Sequence, residues 1–126
     1  MTLLLNYAHP LTADHLNQVT TRLGAKPTVR TITTQVDRRR ALGDVARDLA
    51  DAAGRAPDAW QTLPLVINSP GLAPLALALI AEIHGRCGSF PLILNLRPVP
   101  DSVPPRYEGA EVVNLQHVRD AARQRR

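Results

Sequence analysis

The 126 residues, 44% of them hydrophobic, suffice for one domain with one core, and an aromatic content of 3% makes that core aliphatic. So few rings exclude an aromatic stacking platform for single-stranded nucleic acid, and the single cysteine, Cys87, excludes a disulfide framework or a cysteine metal cluster. Fifteen Lys+Arg against eleven Asp+Glu leave a net charge of +4, with Lys26 the one lysine; this arginine bias suits phosphate partners and is also what a GC-rich genome produces.

Residues 2–6 form a short aliphatic run that reads as a buried strand, broken by Tyr7-Ala8-His9-Pro10-Leu11. Thr12 is the expected N-cap of a helix carrying Leu16, Val19 and Leu23 at helical spacing, with Gly24 where it stops. A second strand is expected over residues 28–33. After Asp37 and the cations Arg38, Arg39 and Arg40, the residues Leu42, Val45, Ala46, Leu49 and Ala53 mark an amphipathic helix ending at Gly54. Leu65-Val66-Ile67-Asn68 repeats the strand theme. Ser69-Pro70-Gly71 makes a tight turn, and a helix over residues 72–84 closes at Gly85, with Pro74 in its first turn.

A fourth strand follows at residues 91–96. Residues 97–109 hold four of the eleven prolines and read as an irregular loop. A short fifth strand at 111–115 leads into a basic terminal helix or tail. Alternating strands and helices predict a small, single Rossmann-like α/β domain over residues 1–118, with a basic tail at 119–126. Its mostly parallel sheet has four to five strands and helices on both faces. The longest apolar run, residues 72–83, falls short of the ~20 residues a membrane span needs. The N-terminus lacks a signal-peptide pattern. A cytoplasmic protein is expected.

Four predicted strands finish in asparagine, at Asn6, Asn68, Asn95 and Asn114, and the first three are expected at one edge of the sheet. Ligands of open parallel sheets bind beyond the carboxyl ends of the strands, so these amides are placed to line one crevice and read an adenine edge. Asparagine also ends strands simply because it tolerates turns. At the same edge, Ser69, Pro70 and Gly71 precede a helix, where orphan N–H groups favour an anion. His9 is a candidate proton shuttle or phosphate donor and Tyr7 a candidate base-stacking ring; alternatively His9 caps its turn and Tyr7 packs on the sheet. Arg97, directly after the fourth strand, is the arginine best placed for a phosphate, and Arg106 sits in a loop able to fold over the site. His15 is expected to face outward, His84 to end its helix and His117 to lie near the tail. Arg38, Arg39 and Arg40 are expected to form a solvated helix start, although three cations there oppose the helix dipole and hint at an anionic neighbour. Metal spacing, a nucleophile elbow, a phosphate loop and a dinucleotide fingerprint are all missing from the sequence. No metal or cofactor is expected.

The opening Leu-Leu-Leu-Asn6-Tyr7-Ala8-His9-Pro10-Leu11-Thr12, followed by His15, Leu16 and Val19, resembles a family of small CRISPR-associated proteins that accompany type III CRISPR systems. The turn at Asn68-Ser69-Pro70-Gly71 and the proline-rich loop after Asn95 extend the likeness. The family is grouped with the ring nucleases that remove cyclic oligoadenylate. The resemblance implies a CARF-like (Rossmann-like) fold and a homodimer, or a higher assembly, sharing a symmetric cyclic tetra-adenylate. The ligand-binding residues would be Asn6, Tyr7, His9, Asn68, Ser69, Pro70, Gly71, Asn95, Arg97 and Arg106. Sequestration of the messenger is favoured over cleavage, because the catalytic constellation is sparse. Metal-independent cleavage, with His9 as acid/base and Arg97 stabilising the phosphate, is the alternative. A basic RNA- or DNA-binding accessory role is the third reading, although no stable duplex binding is expected.

Overall fold

The computed structural model describes residues 1–104 and 106–126, with the side chains of Tyr107 and Glu108 left aside. Strand β1 (Leu3–Asn6) leads into helix α1 (Ala13–Leu23), strand β2 (Thr28–Thr31) and helix α2 (Leu42–Asp51). Helix α3 (Pro57–Thr62), strand β3 (Leu65–Asn68) and helix α4 (Ala73–Cys87) follow. Strands β4 (Leu92–Pro98) and β5 (Tyr107–Asn114) and helix α5 (Leu115–Arg123) complete the chain. The sheet runs β2-β1-β3-β4-β5, with four parallel strands and an antiparallel β5. This is the doubly wound order of flavodoxin-like sheets, apart from the reversed last strand. The expected α/β class and mostly parallel sheet are present.

Strand alternation divides the core. Leu4, Val66 and Leu94 point toward α1, where Val19 and Ala110 join them. Leu5, Leu65 and Ile67 point the other way, onto Val45, Leu49, Trp60, Leu75, Leu79 and Ile83 of α2, α3 and α4. β1 and β3 are buried along almost their whole length, which is why they read as unbroken aliphatic runs rather than alternating ones. Arg86 ties the helical layer together: its guanidinium meets Asp51 of α2 at 2.9 Å and Glu82 at 3.4 Å, and lies 5.7 Å from the Trp60 ring.

Local signals explain the ends of α1. The Thr12 hydroxyl accepts from the His15 N–H at 3.1 Å, and His15 Nδ1 accepts from the Thr12 N–H at 3.3 Å. Histidine here does the work of the acidic partner in a capping box. His15 is therefore buried against its own cap and does not face outward. Gly24 adopts the left-handed φ of 81° that ends the helix.

Several boundaries differ from the sequence expectation. α4 runs through Gly85 and stops at Gly88, whose φ is 81°. The Arg86 ion pairs hold the last turn in place, outweighing the roughly 1 kcal/mol that a helical glycine costs relative to alanine. α2 ends three residues before Gly54. α3 was not expected at all, although Pro57 at its start and Asp58 in its first turn are helix-start signals. β4 extends to Pro98, so Arg97 and Asn95 lie within the strand rather than at or beyond its end. The loop expected at 97–109 shrinks to residues 99–106; it includes Pro105, which lies outside the described residues. Residues 119–123 continue α5, none of whose residues is buried.

Candidate functional site

The chain leaves β1 toward one face of the sheet and β3 toward the other, so the sheet divides between these two strands. That split is where ligands of such sheets bind. Asn6 and Asn68 are register partners there. Asn68 Nδ2 donates to Asn6 Oδ1 at 3.0 Å, and the Ala8 N–H donates to the same oxygen at 3.0 Å. Asn6 Nδ2 in turn donates to the His9 carbonyl at 3.0 Å. The Asn6 side chain is fully buried, and its amide is committed to the loop that follows it. It cannot read an adenine edge as expected; it positions residues 7–10. Asn68 is nearly as buried and serves the same arrangement.

Asn95 does not join them. Strand alternation turns it to the face opposite Leu94, where its Nδ2 donates to Glu111 Oε1 on β5 at 3.2 Å. Arg97 is displaced for a different reason. A bulge between Leu96 and Arg97 leaves Gly109 unpaired at φ 70°, and the Arg97 guanidinium lies over it. A Cβ at Gly109 would stand 2.8 Å from Arg97 Nη2. Arg97 thus borders a hollow shared with Arg22 and Glu111, apart from the loops after β1 and β3. Arg106 is exposed in the 99–106 loop, its N–H bound to the Ser102 hydroxyl at 2.9 Å.

Beside the strand exits lies a cavity of about 470 Å³, walled by residues 7–10, by residues 31–34 with Val36, and by residues 70–72. Of the expected site residues, Tyr7, His9, Pro70 and Gly71 gather here. Ser69 lies just outside it. Tyr7 contributes less than expected. Its phenol turns inward, is 2% exposed, and donates to the Leu49 carbonyl at 2.9 Å. Burial pushes its ionisation far above the ordinary phenol value, with the Arg86 charge acting the other way. Such a ring is not free to stack on a base. His9 is exposed at the rim, held through its carbonyl rather than its imidazole.

The wall that sequence reasoning missed is the exit of β2. Thr34 Oγ1 donates to the Tyr7 carbonyl at 3.1 Å and fastens this exit to the first loop. Thr31 and Thr33 are exposed there, presenting hydroxyls to a ligand. Four residues, Thr31-Ile32-Thr33-Thr34, at the end of a parallel strand were the available signal. Leu72, the N-cap of α4, makes no side-chain cap bond, and because Pro74 has no N–H, the first-turn donors left for an acceptor are those of Ala73 and Leu75. No charged side chain lines the cavity among the described residues.

Two of the three cations at residues 38–40, Arg39 and Arg40, find their anions within the chain. Arg39 Nε donates to Asp37 at 3.1 Å, which lowers the Asp37 carboxyl below its ordinary value, and Arg40 meets Asp48 at 2.8 Å. Among the described residues no three His, Cys, Asp or Glu side chains converge as a metal site requires. Nor is any helix long and apolar enough to cross a membrane. No family model, curated protein or solved structure matches the chain.

Proposed function

We propose that the protein is a cytoplasmic binding protein for the cyclic oligoadenylate cyclic tetra-adenylate, and acts by sequestering it. The observation that carries this reading is the cavity beside the β1, β2 and β3 exits, bounded in part by Tyr7, Ala8, His9, Pro10, Pro70 and Gly71, which also carry the family resemblance. Its volume of about 470 Å³ lies within the range of small-molecule sites and suits one nucleotide unit rather than a whole ring of four. A ring with rotational symmetry would therefore span the cavities of two or more copies of the chain, related by a two-fold axis. Hydroxyls of Thr31 and Thr33 and the open N–H groups of α4 are the polar contacts each copy offers.

Sequestration is favoured over cleavage by one feature. Among the described residues the His9 imidazole has no partner to orient it, whereas a general acid or base is held by a second group. Calorimetric titration with cyclic tetra-adenylate, followed by chromatography of the mixture, tests the proposal. Saturable binding with intact ligand is expected. Thr33→Trp, at the exposed rim of the cavity, should weaken it about tenfold or more while leaving the fold intact. Linear products would replace sequestration by cleavage, and full affinity in the Thr33→Trp variant would remove the cavity from the site.

A further inference from the structure

At the opposite rim of the sheet a second hollow, of about 350 Å³, opens between the starts of β1 and β2 and the α2–α3 connection. Arg30 and Arg55 are among its lining residues. Arg30 rises from β2 and donates through Nη1 to the Ala53 carbonyl. Arg55 donates through Nη2 to the Ala59 carbonyl at 2.9 Å and lies 5.2 Å from the Trp60 ring. Arg55 Nη1 is buried with no hydrogen-bond partner among the described residues. Neither arginine meets a carboxylate there, whereas Arg39, Arg40, Arg47, Arg86 and Arg119 each do.

A buried donor without an acceptor costs free energy, and a second cation nearby adds repulsion. Burial lowers the Arg55 ionisation from its ordinary value; Cys87 opposes this, and Arg30 adds to it. An anion in the hollow would offset the repulsion between the two cations. The remaining wall is largely aliphatic, with Leu3, Ala56, Ala59 and Leu63, the last of these 51% exposed. A strongly hydrated phosphate gains nothing from such a wall, whereas an alkyl chain is desolvated by it.

We propose that this hollow binds an aliphatic carboxylate, its head group held by Arg30 and Arg55 and its chain lying along Leu3, Ala59 and Leu63. A planar carboxylate matches the guanidinium fork, and a site near the lower end of the usual volume range takes a short chain. The proposal stands apart from the cavity at the strand exits.

Calorimetric titration of octanoate into the intact protein tests it, with octanol and inorganic phosphate as parallel titrants. One octanoate is expected to bind per chain, with octanol and phosphate weaker by about tenfold or more. Arg55→Gln should weaken octanoate by a similar factor. Because Arg55 also braces α3, Arg30→Gln on the exposed edge strand provides a second variant, with the same loss expected and circular dichroism confirming the fold. Equal affinity for octanol or for phosphate overturns the assignment, as does octanoate that never saturates or variants that bind as well as the parent.

Discussion

Replacing Asn6 with alanine separates the two roles open to a strand-ending asparagine. Three hydrogen bonds converge on its amide, from Ala8, from Asn68 and to His9. Each contributes on the order of 1 kcal/mol net, and a buried partner left unpaired costs roughly 1–3 kcal/mol. Ala8 and His9 are partly or fully exposed and can turn to water, but the Asn68 amide is only 8% exposed. The expected loss is therefore about 2–4 kcal/mol. For a chain of this size that lowers Tm by roughly 10–15 °C. Urea unfolding followed by circular dichroism measures it, and the Asn6→Ala, Asn68→Ala cycle should return a coupling of about 1 kcal/mol. A single-variant loss under ~0.5 kcal/mol, the range of ordinary surface changes, would refute the reasoning and return Asn6 to ligand contact.

Tyr7→Phe should cost about 1–2 kcal/mol in urea unfolding, because it leaves the Leu49 carbonyl without its donor. The raised phenol ionisation also has a sign: folding keeps the proton that the unfolded chain releases near pH ~10, so Tyr7's contribution is intact below that pH and fades above it. Absorbance at alkaline pH should show this phenol ionising only as the chain unfolds, and ionisation in the folded state would contradict its burial. Gly109→Ala should destabilise by about 1–2 kcal/mol, since its backbone lies at φ 70° and the new methyl must displace the Arg97 guanidinium. Thermal unfolding unchanged from the parent would mean that the bulge relaxes without strain.

The sheet was legible because β1 and β3 are covered on both faces, which turns their sequence into uninterrupted Leu, Val and Ile. The cap at Thr12 was legible for the same local reason that Gly24 was. The fifth strand was legible in part, but its antiparallel direction and the lengths of β4 and β5 were not: a hairpin with a bulge is decided by pairing between residues far apart in sequence, and its prolines read as loop. The site divides along the same line. Asn6 and Asn68 could be placed at the strand exits, but not their bond to each other, which depends on strand register. Asn95 failed by one position of alternation, enough to send a side chain to the other face. The direction of the Tyr7 ring depends on Leu49, 42 positions away, and no local pattern carries that information.

Tyr7 directly follows β1, borders the cavity and locks its hydroxyl onto the end of α2. The first loop therefore has no independent hinge: lifting it from the sheet would drag a phenol out of the protein interior. Amide exchange at Tyr7 and Ala8, whose N–H groups are bound to Asn68 and Asn6, should proceed at the pace of global opening rather than of surface breathing, and a guest would meet walls already in their final shape.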